Sequence, residues 1–440
     1  MVNISVYGLG RVGLVTAVCF ARKGYTVFGF DQNVQLIEQV RHHEAPFHEP
    51  HLADYINETV RTGRLHLNEA NSEAEFIFIT VGTPSTSDGG IDLSQVKRAA
   101  AKIGRAPSTV KRIIVVKSTV IPGTARMLAD TIFNKIPNNA AKVCSNPEFL
   151  REGNAIRDTE LPDRIIIGGD DSTAMQKLEG LYKDFCGQRI PPVVQTTFEN
   201  AEMIKYASNA FLATKISFIN CLAGIAAKTQ NADIKSIANG IGLDPRIGDK
   251  FLNAGLGWGG SCFPKDLDAL LAYSKKVRYD ALILKATRDT NKRQWKTAVT
   301  YAKAALSSFK NKKISILGLA FKPDTDDMRE AVSIRIINQL VKMGANVTVF
   351  DPAAMNTARK ILGKKVTYAK DPQECVKGSY CCIIATEWDE FRSLEPHFFL
   401  TQMAKPILVD GRRVYDPKRY RNAGIKFFAI GLGPVQDDGK

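Results

Sequence analysis

From the N-terminus to about residue 195, short apolar runs alternate with stretches of helical periodicity. The runs Asn3–Tyr7, Thr26–Phe30, Phe76–Val81, Ile113–Lys117, Lys142–Ser145 and Arg164–Gly168 are rich in Val, Ile and Phe. Continuous rather than alternating hydrophobicity predicts strands covered on both faces, the signature of a parallel sheet with crossover helices. Thr196 and Glu199 then stand in the spacing of a capping box. From there to about Thr229 the chain lacks proline and is apolar on nearly every helical face. Such a helix has to be buried, between domains or between subunits.

Helical sequence continues to about Ser308, after which Lys312-Lys313 opens a new unit. There Ile314–Gly318, a loop, a helix and Asn346–Asp351 repeat the layout of the opening: strand, glycine turn, helix, strand, acid. Cys381–Ile384 and Pro406–Val409 supply further strands. The expected fold is α/β, with two Rossmann-like doubly wound parallel-sheet domains joined by a central all-helical region holding one long helix. The corresponding division is 1–195, 196–308 and 309–433, with 434–440 as a disordered tail.

Composition narrows the class. At 440 residues the chain is too long for one core. Its 44% hydrophobic and 24% charged residues are those of a globular protein. No apolar run nears the ~18 residues of a membrane span. Eight cysteines without metal-type spacing fit a reducing cytoplasm. The net charge of +15 is dispersed and accompanies no nucleic-acid module, so it suits anionic small molecules better than a polynucleotide. Five of the six histidines lie between His42 and His66, in no standard zinc spacing, and no metal is expected.

Gly8-Leu9-Gly10-Arg11-Val12-Gly13 follows the first strand and opens a helix, and Asp31 ends the next strand. Glycines permit a tight turn and close approach of a pyrophosphate to a helix N-terminus. Asp31 would accept from ribose hydroxyls and repel a 2′-phosphate, which favours NAD over NADP. Val81, Thr83 and Pro84, with Thr119 after the next strand, fall where a nicotinamide half would rest.

A second motif, Gly257-Trp258-Gly259-Gly260-Ser261-Cys262-Phe263-Pro264-Lys265-Asp266, displays one cysteine in a glycine-dense loop beside a lysine. That environment suits a nucleophile. A thiol and a two-electron acceptor in one chain point to an oxidation through a carbon–sulfur adduct. Lys205 and Asn209, four apart, share a face of the long helix, and burial there would disfavour the charged lysine.

These motifs resemble the UDP-glucose/GDP-mannose dehydrogenase family over nearly the whole chain. The likeness also rests on Asn146-Pro147-Glu148-Phe149-Leu150-Arg151-Glu152-Gly153, Ala201–Asn209, Phe321-Lys322-Pro323 and Asp410-Gly411-Arg412-Arg413. It implies oxidation of a sugar primary alcohol to a carboxylate with two NAD, UDP-glucose being the substrate its motifs favour. It assigns Cys262 as the nucleophile, Lys205 and Asn209 to an oxyanion, Asp266 to base chemistry, and Thr119 and Glu148 to a water. Glu152, Lys265 and Arg329 match cofactor-side groups. Phe149, Leu150, Phe251, Gly259, Phe321, Lys322 and Arg412 match the substrate side. Arg246 matches an arginine that reaches a neighbouring subunit's site, and a homodimer around the long helix is implied.

Three positions depart from the pattern: Leu36 replaces a basic residue, Arg11 an aromatic and Cys221 a glutamate. The other readings are a dehydrogenase of GDP-mannose or a UDP-N-acetylhexosamine, and a non-catalytic nucleotide-sugar sensor.

Overall fold

A computed structural model describes residues 2–68, 71–137 and 140–434. The chain forms two compact units, Met1–Ser208 with Asp268–Tyr279, and Asn209–Leu267 with Asp280–Lys440.

The first unit holds an eight-stranded sheet. Its strands are β1 (Asn3–Tyr7), β2 (Thr26–Phe30), β3 (Leu65–Leu67), β4 (Phe76–Ile79), β5 (Arg112–Val116), β6 (Ala141–Ser145), β7 (Ile165–Gly168) and β8 (Val193–Thr196). Their spatial order is β3-β2-β1-β4-β5-β6-β7-β8. The first six are parallel, whereas β7 meets β6 antiparallel and β8 lies parallel to β7. The antiparallel step departs from the all-parallel expectation. Two of its strands were not read beforehand: β3 has only three residues, and β8 is a largely exposed edge whose apolar residues are just Val193 and Val194. Helices on the two faces bury separate apolar layers, one around Leu14, Val18 and Phe20, the other around Ile79, Val96 and Phe133.

The long helix spans Phe198–Ala226. Its cap is Thr197 rather than Thr196, because the Thr197 hydroxyl accepts from the Asn200 N–H at 3.2 Å. Thr196 finishes β8 instead, and Glu199 pairs with Arg126 at 2.5 Å rather than closing a capping box. The helix is the only one among the described residues long and apolar enough to cross a membrane by composition. Its side chains Glu202, Lys205, Asn209, Ser217 and Asn220 are nevertheless buried polar groups with protein partners, an arrangement built for a protein interior. In the single chain Phe211, Phe218 and Ile225 remain exposed.

The second unit repeats the doubly wound plan. Strands β9 (Lys313–Leu317), β10 (Asn346–Phe350), β11 (Thr367–Tyr368), β12 (Cys381–Ile384), β13 (Ile407–Asp410) and β14 (Lys426–Ala429) are ordered β11-β10-β9-β12-β13-β14. All its strand pairs are parallel. Cys381 and Cys382 are core residues of its central strand. At the far end, the Asn231 N–H donates to the Pro434 carbonyl at 2.9 Å, so the tail expected from 434 is tied down at its first residue. Residues 435–440 lie outside the described residues.

Candidate active site

The glycine turn after β1 is shaped by three different demands. Gly8 has φ +97°, and a Cβ there would sit 2.8 Å from the Val81 backbone. A Cβ on Gly13 would meet the Gly8 carbonyl at 1.8 Å, so the helix Arg11–Arg22 can approach β1 only with glycine here. Gly10 differs, because a Cβ on it would meet nothing within 4 Å. It borders open space at a helix N-terminus with no side-chain cap, where a pyrophosphate has backbone donors and room. Asp31 accepts from the Leu9 N–H at 2.7 Å and the Asn33 N–H at 2.8 Å and stays partly exposed. The residues present fit an NAD adenosine half. Val12 lies in the first turn of that helix, its carbonyl accepting from the Thr16 hydroxyl at 2.7 Å.

Around this cradle, Val81 and Thr119 are half-buried, Thr83 is buried and Pro84 is exposed. The Ser118 hydroxyl donates to the Val81 carbonyl at 2.7 Å and so joins the two strand ends. Glu152 stands 3.7 Å from Arg11, which also lies over the Phe47 ring at 4.8 Å. The departure at Arg11 thus brings a cation to the glutamate expected on the cofactor side.

Glu148 and Lys205 form a buried ion pair at 2.9 Å, and the Leu150 N–H donates to the other Glu148 oxygen at 2.5 Å. Burial pushes the Glu148 carboxyl up, but Lys205, the Leu150 amide and Lys117 together hold it below its ordinary value. Lys205 is therefore not the lone desolvated amine that its position suggested; it faces an anion. The Phe149 ring lies 3.9 Å from the Arg164 guanidinium and 5.4 Å from the Lys205 ammonium, which fixes the wall of this pair.

In the second unit, the cysteine loop is held by backbone contacts that only glycine allows. A Cβ on Gly257 would meet Asn291 Oδ1 at 2.6 Å, on Gly259 the Glu330 carbonyl at 2.3 Å, and on Gly260 the Phe321 ring at 2.7 Å. Asn291 brackets Trp258, accepting from its N–H at 2.8 Å and donating to its carbonyl at 2.9 Å. The Trp258 indole donates to Ser217 Oγ at 3.0 Å. Cys262 is half-buried and immediately precedes the helix Phe263–Lys276, where its carbonyl accepts from the Asp266 N–H at 2.8 Å. The thiol thus stands at the positive end of a helix, with Ser261 Oγ 3.4 Å from its sulfur. Burial pushes the Cys144, Cys375 and Cys381 thiols up to about 12 and raises Cys19 and Cys382 as well. Asp266 is fully buried and accepts from Lys265 Nζ at 2.7 Å and Asn209 Nδ2 at 2.6 Å.

The expected substrate-side groups divide. Arg412 is anchored through Nε to the Ala385 carbonyl at 2.7 Å and through Nη1 to the Gly257 carbonyl at 3.3 Å. Its Nη2 is buried with no hydrogen-bond partner among the described residues, which suits an anion. Phe321 packs on Gly260, and Lys322 is half-buried on the next position. Phe251 has φ +66°, its ring 6.4 Å from that of Phe263. Arg329 is clamped to the buried Asp327 at 2.6 Å, while its carbonyl accepts from the Gly260 N–H at 2.9 Å. Arg246 is highly exposed and pairs with Asp244 at 2.6 Å.

Sequence reading missed Glu49 and Glu202, buried carboxylates that cap the helices Ala155–Glu160 and Thr124–Thr131 from afar. Lys117, at a strand end expected near the nicotinamide, and Asn146, quoted in a motif, were not foreseen to form a buried network with Tyr182. Nothing in local spacing marks such long-range partners.

The description "UDP-glucose/GDP-mannose dehydrogenase family" matches the chain in three segments: NAD binding domain at 2–186, central domain at 199–293 and UDP binding domain at 315–417. The chain belongs to this family. It is an NAD-dependent dehydrogenase of the family. It is similar to the UDP-glucose 6-dehydrogenase TuaD of Bacillus subtilis, 41% identical over 99% of this chain and 94% of that one. The UDP-glucose 6-dehydrogenase of Rhizobium meliloti is 40% identical over 98% and 99% of the two chains. A UDP-glucose dehydrogenase structure from Pyrobaculum islandicum superposes with TM-score 0.88 at 38% identity, covering 98% of each chain.

Proposed function

We infer that this protein oxidises the C6 alcohol of UDP-glucose to the carboxylate of UDP-glucuronate through an adduct on Cys262. The observation that carries the reading is a half-buried thiol at a helix N-terminus in a loop clamped by glycines, in a chain that also has an open dinucleotide cradle. Bound NAD supplies a two-electron acceptor twice per turnover. In the first oxidation the alcohol loses its proton and two electrons with the C–H bond, leaving an aldehyde. The Cys262 thiolate then forms a C–S bond to that carbonyl carbon, and the thiohemiacetal keeps the aldehyde from escaping. The second oxidation yields a thioester; water attacks its carbonyl, the C–S bond breaks and the thiolate departs.

Lys205 and Asn209 donate to the oxygen that bears developing charge. Asp266 orients Asn209 and holds Lys265. Glu148, ionised in its pair with Lys205, together with Thr119 positions the hydrolytic water. Arg412, Lys322, Phe321, Gly259 and Phe251 take the nucleotide sugar, with Phe149 and Leu150 beside Glu148. Val81, Thr83, Pro84, Glu152, Lys265 and Arg329 take the cofactor. The three-domain division at 195 and 308 belongs to the same reading. Exposed Phe211, Phe218, Cys221 and Ile225 form one stripe of the long helix and support a homodimer across it, through which Arg246 would reach a second site. Eight cysteines, none in a disulfide, fit a reducing cytoplasm.

Purified protein should reduce two NAD per UDP-glucose, followed by NADH absorbance. Cys262→Ala should lower kcat by at least about 10³-fold while UDP-glucose still binds. Preferred turnover of GDP-mannose or a UDP-N-acetylhexosamine would displace the substrate assignment.

A further inference from the structure

Lys117, at the end of β5, is a buried ammonium whose hydrogen-bond acceptors among the described residues are neutral: Asn146 Oδ1 at 3.0 Å and the Tyr182 hydroxyl at 3.3 Å. Tyr182 itself donates to Asn146 Oδ1 at 2.5 Å, and Asn146 donates to the Ile166 carbonyl at 2.9 Å. The amide oxygen is satisfied without the lysine, so the cation is not needed to complete the network. A buried charge without a hydrogen-bonded counter-ion lowers stability, and a neutral side chain of that length would pack there at less cost. Two charged groups act on it electrostatically, Glu148 and Lys205. Asn146 precedes Glu148 by two residues, so the network that holds Lys117 also sets the segment carrying that carboxylate.

Resting on the functional reading above, we propose that Lys117 is a positioning residue of the reaction, a third buried charge held by the Asn146–Tyr182 network to act on the Glu148–Lys205 pair. Of the two lysines, Glu148 is bonded to Lys205 alone, and Lys117 acts on that pair through space. The surplus positive charge holds Glu148 ionised and makes Lys205 a stronger donor toward an oxyanion. Burial brings the Lys117 ammonium down to about 8, opposed by Glu148 and reinforced by Lys205. The groups facing it are Tyr182 from the helix Ser172–Cys186, Asn146 and Glu148 from the segment after β6, and Lys205 from the long helix.

The test compares Lys117→Met and Lys117→Arg with the parent enzyme in kcat, KM, pH profile and Tm. Removing a nearby positive charge raises the proton affinity of both partners, so Lys117→Met should move the kcat–pH profile alkaline by about one unit. It should lower kcat by about tenfold or more below pH 8, with KM for UDP-glucose changed less than about threefold. Its Tm at pH 7 should equal or exceed the parent's, because a desolvated charge is gone. Lys117→Arg should return the profile toward the parent's. A Tm that falls with kcat while the profile stays in place would overturn the proposal, as would parental kcat in Lys117→Met.

Loss of the functional reading itself would show differently, as no two-equivalent NAD reduction by the parent protein. Even then Lys117 is read from stability. Its charge costs stability below about pH 8, and that cost is relieved as pH rises toward a lysine's ordinary value. The parent's Tm should therefore climb relative to that of Lys117→Met between about pH 8 and 10. Parallel curves would refute the buried charge.

Discussion

Over six strands the two sheets share one order, 3-2-1-4-5-6, yet they treat the turn after their first strand in opposite ways. In the first, Gly10 borders open space and Asp31 stays partly exposed with two backbone donors. In the second, the turn runs Gly318-Leu319-Ala320, and Asp351 is buried with four backbone donors from Leu319, Ala320, Ala353 and Ala354. The Trp388 indole adds a fifth, at 3.1 Å. The same acid at the same topological place keeps room for a ligand in one sheet, where we propose it binds ribose, and is a structural staple in the other. Topology therefore fixes where a ligand can bind, while the saturation of one carboxylate decides whether it does.

The sharpest way to break this contrast is Asp351→Asn. Its amide must present NH₂ to amide donors, so buried N–H groups lose acceptors at a cost of about 3 kcal/mol in stability. Thermal or urea unfolding should show the loss, while the NAD Kd of the folded protein stays within about twofold. A large change in NAD affinity would mean that the second acid also serves the cofactor.

In the second sheet the group we propose for a ligand is cationic. Arg412→Met removes the guanidinium whose Nη2 has no hydrogen-bond partner among the described residues, leaving Glu387 without its 3.3 Å ion partner. UDP-glucose binding by calorimetry should weaken about 30-fold, or about 2 kcal/mol, with NAD binding unchanged. Equal weakening of both ligands would erase the division of labour between the sheets.

Asp31→Asn is the mirror of the first experiment. Its carboxylate is less saturated, so stability should fall by about 1 kcal/mol or less, and NAD affinity should drop about tenfold. Discrimination against NADP should relax in the same variant, since the repelling charge is gone. A variant that unfolds like Asp351→Asn would make Asp31 structural.

Much of this contrast was legible in the sequence, and the limits are physical. Gly8, Gly10, Gly13 and Asp31 lie within one local βαβ unit, so spacing alone revealed them. The echo at Gly318 and Asp351 was visible too, but nothing in the letters says that five donors converge on Asp351. Cys262 stood out because glycine density is a local property. Lys205 was read as a buried amine; its partner Glu148 is 57 residues away and reversed the electrostatic argument. Strand β8 escaped because an exposed edge has no apolar run, and the cap at Thr197 because Thr196 fitted the same local rule. Local chemistry was readable, whereas pairing across the fold was not.

The smallest expected effect concerns the helix that follows the fifth strand of each sheet order. After β13, the helix Pro417–Asn422 is capped locally by exposed Asp416, which accepts from the Arg419 N–H at 2.8 Å. After β5, the helix Thr124–Thr131 is capped from the long helix by buried Glu202, which accepts from Gly123 at 2.6 Å and Ala125 at 2.7 Å. Burial pushes the Glu202 carboxyl up to about 8 against those amide donors. The folded state then binds this proton more tightly than the unfolded chain, so the group's contribution is full below about pH 4.5 and is lost as pH rises through about 8. The amide donors, which favour the ionised form, already stand against burial in that balance. Melting followed from pH 5 to 8.5 should show parent Tm declining relative to Glu202→Gln, whose neutral amide cannot titrate. Asp416→Ala should shift Tm by a constant amount over the same range, because that cap stands in solvent. Identical slopes for the parent and Glu202→Gln would show that two backbone amides outweigh burial, making the distant cap equivalent to the local one.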